Sequence, residues 1–509
     1  MLLQNLIEGL AVIVYGDSAG IEITGIVYDS REIKPGNIFV CFPGLRTDGK
    51  LFITDAVSRG AKCIISGEKI DLPAGNVLLV TGNLQELLAD ISVKFYDYPS
   101  LKTNLIGVTG TNGKTTITYL LEAVYKNNNL PNSVIGTINY RINNKIISTA
   151  KNTTPYSSDL QYLINKSVES KVHTVIMEVS SHGLVLNRLR GCEFDAAIFT
   201  NLTRDHLDFH KTMDEYFNAK LKLFQMLKES NRKNNKKIAV INLDDNYGKQ
   251  IVNYLKSSGI EVITYSIKDK KATFYATDIK PNTTKTRFTI NNNGNNGVLI
   301  KTHLLGKHNI YNILAAYACA VKQGLSAQLV KDAIESVANI PGRLEKVPGN
   351  QPYTVLVDYA HTDDALTNVL TTLNEIKSHL DGVPKIITVF GCGGDRDRLK
   401  RPIMGSIAVK LSDYAIVTSD NPRSEGPHKI LLDIEVGIQK TGNTNYEVIA
   451  DREQAIKRAI QIANKNDIIL IAGEGHEDYQ IIGNTKIHFS DIEISRKYIN
   501  TKNGTAKNQ

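Results

Sequence analysis

The chain of 509 residues is poor in cysteine and has no long apolar segment. Its five cysteines are scattered and form no CxxC pair, which excludes a disulfide framework and favours a reducing, cytoplasmic setting. No apolar run approaches the roughly 20 residues that a membrane helix needs, so we expect no membrane partner. The first 16 residues carry no basic segment, and therefore no signal peptide is predicted.

The basic residues form no dense stripe with interleaved aromatic residues, so nucleic acid is not expected as a partner. The net charge of +8 nevertheless suits an anionic substrate such as a nucleotide. A composition of 42% hydrophobic and 22% charged residues is ordinary for a globular protein. This length predicts two to four domains, and the sequence contains no internal repeat of short period.

Short apolar runs alternate with helical patterns in three successive parts of the chain. This alternation predicts an α/β fold with mainly parallel sheets in each part. The predicted units are 1–102, 103–339 and 340–509, with a break at Pro341-Gly342. A turn rich in Asn and Gly predicts a hairpin between 287–290 and 298–300. The other predicted strands are 38–40, 63–65, 77–80, 105–109, 172–178, 196–200, 238–242, 262–265, 353–358, 386–390, 414–418, 446–449 and 468–472.

The most informative segment is GVTGTNGKTT at 107–116. It lies between an apolar run and an amphipathic helical pattern, which is the context of a phosphate-binding loop. Converging backbone N–H groups and the helix N-terminus favour phosphate there, with Lys114 on the β- and γ-phosphates and the Thr115 hydroxyl on Mg²⁺. The strict motif has Gly where this chain has Val108. The alternative is a glycine turn without a ligand.

Two further segments place ionisable side chains at predicted strand ends. One apolar strand ends in Glu178, which is well placed to hold Mg²⁺ beside a phosphate loop; taken alone, it could equally be a capping carboxylate. The segment TNLTRDHLDFH at 200–210 concentrates two His, two Asp and one Arg after another strand. Such density favours function, with His206 as a metal ligand, over a solvated loop.

Together these motifs resemble the Mur ligases, the ATP-dependent amide-bond synthetases of peptidoglycan assembly. The resemblance implies a UDP-binding N-terminal domain, a central ATP-binding domain with a P-loop ATPase-like parallel sheet, and a Rossmann-like C-terminal domain that binds an amino acid. The matching segments, in family order, are GVTGTNGKTT at 107–116, NTTP at 152–155, MEVSSHGL at 177–184, TNLTRDHLDFH at 200–210, AKLKLF at 219–224, GKHNIYN at 306–312, PGRLE at 341–345 and DYAHTDDAL at 358–366.

Four more segments resemble the family members that add the third residue of the peptide. They are DSR at 29–31, GCGGDRD at 391–397, DNPR at 420–423 and GEGHEDY at 473–479. Those ligases extend UDP-N-acetylmuramoyl-L-alanyl-D-glutamate by a diamino acid. The resemblance therefore implies ATP, the UDP-muramoyl dipeptide and a diamino acid as small-molecule partners, with two Mg²⁺ ions as cofactors. We expect a monomer.

The resemblance also implies roles for individual residues. ATP would be bound by Gly110, Thr111, Asn112, Gly113, Lys114, Thr115, Thr116, Asn309, Asn312, Arg343, Asp358 and His361. The UDP-muramoyl peptide would be bound by Ser30, Thr153, Thr154, Ser180 and Arg188. The amino acid would be bound by Arg396, Asp420, Asn421, Arg423, Gly473 and Glu477. The metal ligands would be Thr115, Glu178, His206 and Lys220, and the catalytic residues Lys114, Lys220, His206 and Glu178.

Lys220 matches the lysine that is carbamylated in this family. An ammonium group would repel Mg²⁺, whereas a carbamate supplies an anionic oxygen ligand. Two positions depart from the family pattern. Leu186 stands where some members carry a Gln that touches the peptide. Glu474 stands where many members carry Lys, so a reversed charge is expected beside the amino-acid pocket.

The implied reaction runs through an acyl phosphate, formed when the D-glutamate carboxylate attacks the γ-phosphate of ATP. Arg423 is expected to select meso-diaminopimelate, because a guanidinium can grip its distal carboxylate. L-lysine and L-ornithine stay open as substrates, as does a solvated Arg423 in a simple Asn-Pro turn. The DSR, GGDRD and DNPR segments disfavour a folylpolyglutamate-synthetase-like ligase, and a second metal site disfavours a regulatory module that only binds nucleotide.

Overall fold

The computed structural model describes residues 1–44, 48–281, 285–292 and 295–506. Below, residues 1–102, 103–339 and 340–509 are called the first, central and third parts; as domain boundaries these divisions stay predictions. Across the described residues, no helix combines the length and the apolar character that crossing a bilayer requires.

The first part is a small sheet with helices on it. Its strands stand in the order β1-β5-β4-β3-β2, parallel except for β1 at one edge. Short 3₁₀ turns cover Ser30–Glu32, Gly49–Phe52 and Pro99–Lys102. The elements are β1 (Ile13–Tyr15), β2 (Gly25–Val27), β3 (Asn37–Val40), β4 (Cys63–Ser66), β5 (Val77–Val80), α1 (Leu3–Ile7), α2 (Ile53–Ser58) and α3 (Leu84–Phe95).

The central part carries a long mixed sheet in the order β16-β15-β14-β13-β12-β11-β6-β10-β7-β8-β9. The run from β14 to β7 is parallel, and both flanks are antiparallel. Its strands are β6 (Asn104–Thr109), β7 (Asn132–Ile135), β8 (Asn139–Ile142), β9 (Lys145–Thr149), β10 (Thr174–Glu178), β11 (Ala196–Phe199), β12 (Ile238–Asn242), β13 (Glu261–Ser266), β14 (Phe274–Pro281), β15 (Thr286–Asn292) and β16 (Asn295–Thr302).

Helices cover both faces of this sheet. The amphipathic pattern after the phosphate loop is confirmed, since Ile117, Leu120, Leu121 and Val124 are buried against the sheet and its neighbouring helices. The helices are α4 (Lys114–Asn127), α5 (Ser157–Glu169), α6 (Ser181–Val185), α7 (Leu207–His210), α8 (Met213–Glu229), α9 (Asn246–Leu255), α10 (Lys307–Lys322) and α11 (Ala327–Ser336).

The third part has a sheet in the order β17-β18-β22-β19-β20-β21, parallel except for β17, and a separate hairpin β23-β24. Its strands are β17 (Glu345–Lys346), β18 (Thr354–Asp358), β19 (Ile386–Phe390), β20 (Tyr414–Val417), β21 (Tyr446–Val448), β22 (Ile468–Ala472), β23 (Tyr479–Ile482) and β24 (Thr485–His488). Its helices are α12 (Asp363–Lys377), α13 (Lys400–Leu411), α14 (Pro427–Gln439), α15 (Arg452–Ile462) and α16 (Asp491–Ala506).

Parallel pairing decides where the functional segments lie. Because β10, β6 and β11 are adjacent and parallel, their carboxyl ends bring Glu178, the phosphate loop and the 200–210 segment to one edge of the sheet. The same rule brings together the segments after β18, β22, β19 and β20 in the third part. Both predicted sites therefore lie at the carboxyl ends of parallel strands.

The predicted α/β class is confirmed, and the apolar runs are strands to within one or two residues. The run at 172–178, for example, begins as a strand at Thr174. The hairpin of β15 and β16 is also confirmed, although residues 293 and 294 between its strands lie outside the described residues. Missed strands are short, exposed or antiparallel, as at β1 and β9, where every residue is exposed. The exposed strands bury too little surface to leave an apolar run in the sequence, whereas β7 is buried but begins with the polar residues Asn132 and Ser133.

Candidate functional site

A cavity of about 430 Å³ lies between the central and third parts. The residues predicted to bind ATP line it, with Gly110 as the exception, so the predicted set is brought together from both parts. Thr153, Glu178 and His206 line the same cavity. Such a cleft between domains is a common place for a ligand site.

Two glycines of the phosphate loop occupy positions that a side chain could not. Gly110 has φ +149°, and a Cβ there would lie 1.7 Å from the Thr200 hydroxyl. Gly113 has φ +92°, and its Cβ would lie 2.3 Å from Asn312 Oδ1. The loop thus passes directly against the strand-end segment and α10, which requires glycine at both positions.

Two lysines, the buried Lys220 and the half-buried Lys114, converge on one carbonyl oxygen of this loop. Lys114 Nζ donates to Gly110 O at 2.9 Å and to Thr111 O at 2.8 Å, and Lys220 Nζ donates to Gly110 O at 2.8 Å. Within the described residues no carboxylate lies at ion-pair distance from either lysine. Burial lowers the pKa of both amines, and the Lys114 charge lowers the pKa of Lys220 further. The arrangement lacks an anion, which a phosphate could supply.

Glu178 ends β10 inside the cavity and is tied to the phosphate loop. Its Oε2 accepts hydrogen bonds from the hydroxyls of Thr115 at 3.0 Å and Thr137 at 2.9 Å. Its Oε1 accepts from the Thr137 N–H at 2.9 Å. A carboxylate beside a loop hydroxyl is an oxygen donor set that suits Mg²⁺, which also retains waters and substrate phosphates.

His206 begins α7 with a left-handed backbone, φ 54°. Its Nε2 lies 3.3 Å from Asp205 Oδ2, and its ring contacts those of His182 and Tyr216 at centroid distances of 4.9 and 6.0 Å. Burial lowers its pKa, which keeps the imidazole neutral, as a metal ligand must be. In the parts of the chain that are described, no group of three or more His, Cys, Asp or Glu is arranged to hold a metal.

Four residues predicted to bind the muramoyl peptide form one hydrogen-bonded cluster beside Glu178. Thr154 Oγ1 donates to the Glu178 carbonyl and accepts from Ser180 N, both at 2.9 Å. Arg188 Nη1 donates to Thr154 O at 2.8 Å, and Thr153 Oγ1 lies 3.1 Å from Thr137 Oγ1. Among the described residues, the buried Arg188 Nε has no hydrogen-bond partner, so the cluster still has a donor for a ligand.

Ser30 lies apart from that cluster, in a 3₁₀ turn of the first part. Its neighbourhood approaches the central part through Tyr28, whose hydroxyl donates to Asp159 Oδ2 at 2.5 Å. The Tyr28 and Phe42 rings pack on Tyr156 at centroid distances of 4.8 and 5.5 Å. These three aromatic residues were not anticipated from the sequence, because none of them belongs to a periodic or motif pattern.

The predicted amino-acid residues gather at the strand ends of the third part. Asn421 Nδ2 donates to Glu477 Oε2 at 3.1 Å. Gly473 has φ +121°, and a Cβ there would lie 2.5 Å from Asp420 Oδ2. Burial and the nearby Asp420 raise the pKa of Glu477. Arg396 is the exception, since it is exposed and its guanidinium donates only weakly to the neighbouring Asp395 carbonyl at 3.4 Å.

Arg423 takes a left-handed backbone, φ 51°, which is uncommon outside glycine and asparagine. The hairpin of β23 and β24 holds this backbone conformation, since the Arg423 N–H donates to Ile481 O at 3.0 Å and Gly483 N–H donates to Arg423 O at 2.7 Å. The guanidinium donates to Gly394 O at 2.9 Å. Among the described residues, no carboxylate lies at ion-pair distance from it.

Glu474, one of the two departures from the family pattern, has a buried side chain. Its Oε1 accepts a hydrogen bond from Gln480 Nε2 at 3.3 Å, and its Oε2 has no hydrogen-bond partner among the described residues. Burial raises the pKa of this carboxyl to about 9, against the opposing charge of Arg452. This shift favours the uncharged form of the carboxyl, and the reversed charge beside the amino-acid pocket stays a prediction.

A line of contacts joins the cavity to the amino-acid cluster. Arg343 Nη2 lies 3.4 Å from Thr115 Oγ1, and its guanidinium lies over the Tyr359 ring at 5.1 Å. The Tyr359 hydroxyl donates to Glu477 Oε1 at 3.1 Å. Sequence reasoning missed Tyr359 and Thr137. Tyr359 directly follows the predicted strand that ends at Asp358, which was the available signal, whereas Thr137 follows β7, a strand that was not predicted.

Comparison with known proteins gives matches in all three parts. Three family models match: "Mur ligase family, catalytic domain" at residues 22–96, "Mur ligase middle domain" at 108–320 and "Mur ligase, glutamate ligase domain" at 342–475. A UDP-N-acetylmuramoyl-L-alanyl-D-glutamate--2,6-diaminopimelate ligase of Syntrophomonas wolfei subsp. wolfei is 39% identical over 502 residues, covering 99% of this chain and 100% of that protein.

The chain belongs to the Mur ligase family.

A second relative with the same ligase name, from Fusobacterium nucleatum subsp. nucleatum, is 44% identical over 93% of each chain. A solved structure of a protein with that name is 32% identical, with a TM-score of 0.64 over 94% of this chain and 95% of the other. The predicted three-domain Mur ligase architecture is therefore confirmed, and the protein is an ATP-dependent amide ligase. The roles of the individual site residues stay predictions.

Proposed function

We propose that this Mur ligase adds meso-diaminopimelate to UDP-N-acetylmuramoyl-L-alanyl-D-glutamate, with ATP as co-substrate, in the synthesis of peptidoglycan precursors. The names of the relatives at 39% and 44% identity support this substrate pair. We infer that the first, central and third parts bind the UDP moiety, ATP and the amino acid, respectively, and that the protein acts as a monomer in the cytoplasm.

The observation that carries the choice of amino acid is the guanidinium of Arg423. It lies beside the acidic Asp420 and Glu477 and has no carboxylate partner among the described residues. The distal ammonium of a diamino acid would interact favourably with these acidic groups, and a distal carboxylate would pair with the Arg423 guanidinium. Meso-diaminopimelate carries both groups at its far end, whereas L-lysine and L-ornithine lack the carboxylate and would leave the guanidinium unpaired.

The phosphate loop and its two lysines support the role proposed for ATP. Lys114 would neutralise the β- and γ-phosphates, and Arg343 would reach them from the third part. Thr115 and Glu178 would hold one Mg²⁺, and His206 with Lys220 would hold the other. These ions would supply electrostatic stabilisation of charge on the transferred phosphoryl group.

The surroundings of Lys220 support carbamylation. Its amine is buried beside the Lys114 amine without a counter-charge, which disfavours the ammonium form. A neutral amine can attack CO₂: the N–C bond forms, one proton leaves, and an anionic carbamate results. The carbamate would supply the missing anion beside Lys114 and an oxygen ligand for the second metal.

The reaction then needs positioning more than acid–base chemistry. The D-glutamate γ-carboxylate attacks the γ-phosphorus of ATP, and ADP leaves. The amine of the diamino acid attacks the acyl carbon, phosphate leaves with the bonding pair, and the amine loses a proton. Thr154, Ser180 and Arg188 would hold the acceptor peptide, and the contacts from Thr115 through Arg343 and Tyr359 to Glu477 would orient the amino-acid pocket.

Amino-acid-dependent phosphate release tests the proposal. The enzyme is incubated with ATP, Mg²⁺ and the UDP-muramoyl dipeptide, and with meso-diaminopimelate, L-lysine or L-ornithine in turn. We expect phosphate release and a product of the mass of the amide only with meso-diaminopimelate. Preference for lysine or ornithine would overturn the choice of amino acid, and a folate substrate used in place of the dipeptide would overturn the ligase assignment.

A further inference from the structure

One carboxylate of the third part reaches across to the phosphate loop. Asp364 lies in the first turn of α12, and its Oδ2 accepts hydrogen bonds from Asn112 Nδ2 at 2.9 Å and Thr203 Oγ1 at 3.0 Å. Asn368, one turn further along the helix, donates to the same oxygen at 3.2 Å. Asp364 belongs to the DYAHTDDAL motif, but it is not one of the residues predicted to bind a substrate or a metal.

The two central residues that contact Asp364 belong to one rigid unit. Thr203 N–H donates to Thr111 Oγ1 at 3.0 Å, and Thr111 Oγ1 donates back to Thr203 O at 3.2 Å. Asn112 N–H donates to Asn201 Oδ1 at 3.0 Å. These hydrogen bonds hold the phosphate loop and the segment after β11 together, and Asp364 accepts a hydrogen bond from each of them.

The donors to Asp364 are neutral amide and hydroxyl groups. Burial raises the pKa of this carboxyl, and the three hydrogen bonds oppose the rise. Hydrogen bonds to an ionised acceptor are stronger than those between neutral groups. The Asp364 carboxylate therefore stabilises the contact between the two parts by more than two hydrogen bonds between neutral groups would. Among the described residues, the ion pairs that cross between the central and third parts are Arg204–Asp397 at 3.6 Å and Lys307–Glu375 at 2.6 Å. Their groups are partly exposed, so they contribute little.

The preceding residue provides an internal comparison. Asp363 begins the same helix turn, so it interacts equally with the helix dipole. Within the described residues its carboxylate makes no hydrogen bond and no ion pair. If the aspartates only stabilised the helix terminus, both would contribute. The contact with the phosphate loop, by contrast, is made by Asp364.

We propose that Asp364 is a positioning residue that holds the third part closed on the phosphate loop while the amine attacks the acyl phosphate. The inference rests on the proposed function. The acyl phosphate forms at the phosphate loop of the central part, with Arg343 of the third part as a further contact, whereas the diamino acid is held by the third part alone. Amide formation therefore requires both parts at bonding distance, and even a small misplacement is costly. A small free nucleophile needs no such arrangement.

The test compares D364N with D363N, which removes the same charge one position earlier. Acyl phosphate formation is measured by trapping with hydroxylamine, which attacks the acyl carbon and expels phosphate to give a hydroxamate. Amide formation is measured with the diamino acid. We expect D364N to lower kcat/KM for the diamino acid about tenfold or more, the scale of a lost hydrogen bond to a charged group. Its rate of hydroxamate formation should fall much less than its rate of amide formation, and D363N should match wild type in both assays.

A second variant, T203V, removes one donor to Asp364 while preserving side-chain shape. It should show a weaker form of the D364N defect, and the T203V D364N double variant should be no worse than D364N alone. Equal behaviour of D364N and D363N would overturn the inference, as would an equal loss of hydroxamate and amide formation in D364N. A wild-type enzyme that forms neither product would overturn the proposed function, and this inference with it.

Discussion

The phosphate loop of the central part and the core of the third part hold cations that are neutralised differently. In the third part Arg452 is fully buried and bound by both oxygens of Asp491 at 2.7 and 2.8 Å, and Arg401 is fully buried between Glu425 and Asp433. At the phosphate loop the buried Lys220 and the half-buried Lys114 share the Gly110 carbonyl, and neither has a carboxylate partner among the described residues. A buried cation with its own counter-ion is a completed structural element, whereas one without it marks a place for an external anion.

The largest expected effect comes from removing Lys114. The variant K114A should fold normally but lose turnover by about 10³-fold, because it loses a phosphate contact and no core packing. K126A, which changes an exposed lysine near the end of the same helix, is the matched control. Substrate-dependent ADP formation at a normal rate by folded K114A would show that this loop does not bind the transferred phosphate.

The comparison is sharpened by replacing a paired and an unpaired cation with the same residue. R452M should destabilise the protein by about 3–5 kcal/mol, because it leaves Asp491 buried and uncompensated. K220M should leave the free energy of unfolding unchanged or raise it relative to wild type in buffer depleted of CO₂, where Lys220 is an unmodified amine and no counter-ion is abandoned. Urea titration of both variants measures this difference. Equal destabilisation would show that Lys220 is also a structural cation.

Arg423 lies between these two cases, because its guanidinium contacts carbonyl oxygens but no carboxylate. We expect R423A to weaken the use of meso-diaminopimelate by about 2–5 kcal/mol of transition-state binding. The KM values for ATP and the UDP-muramoyl dipeptide should hardly change, and the ratio of lysine to diaminopimelate use should rise. Steady-state kinetics with both amino acids measures this ratio. An unchanged preference would show that Arg423 does not read the distal carboxylate.

Glu474 gives the smallest effect over a single pH unit, and this effect depends on pH. Its pKa in the folded protein, about 9, lies above its ordinary value of 4.5. Its contribution to stability is therefore complete below pH 4.5 and is lost as the pH rises toward 9, by at most about 1.4 kcal/mol per pH unit. E474Q keeps the shape but cannot ionise, so its stability should fall less steeply over this range. Unfolding at several pH values compares the two slopes, and identical slopes would mean that Glu474 is ionised at neutral pH.

Sequence alone could predict the phosphate loop, since its glycines, lysine and threonine are contiguous and lie between a strand and a helix. The gathering of Glu178 and the 200–210 segment at one sheet edge followed from parallel pairing. The left-handed conformation of Arg423 could not be predicted in this way, because it depends on a hairpin whose strands are short and partly exposed. The raised pKa of Glu474 depends on burial by distant segments, which no local pattern encodes.

The most direct test concerns the anion that the two central lysines lack. Wild-type enzyme and K220A are equilibrated with carbon-13 bicarbonate and examined by carbon-13 NMR. We predict a carbamate resonance in wild type that is absent from K220A, together with a loss of about 10²-fold in acyl phosphate formation by K220A that an added small carboxylate such as acetate partly restores. An unmodified Lys220 in fully active wild type, alongside a fully active K220A, would contradict the account.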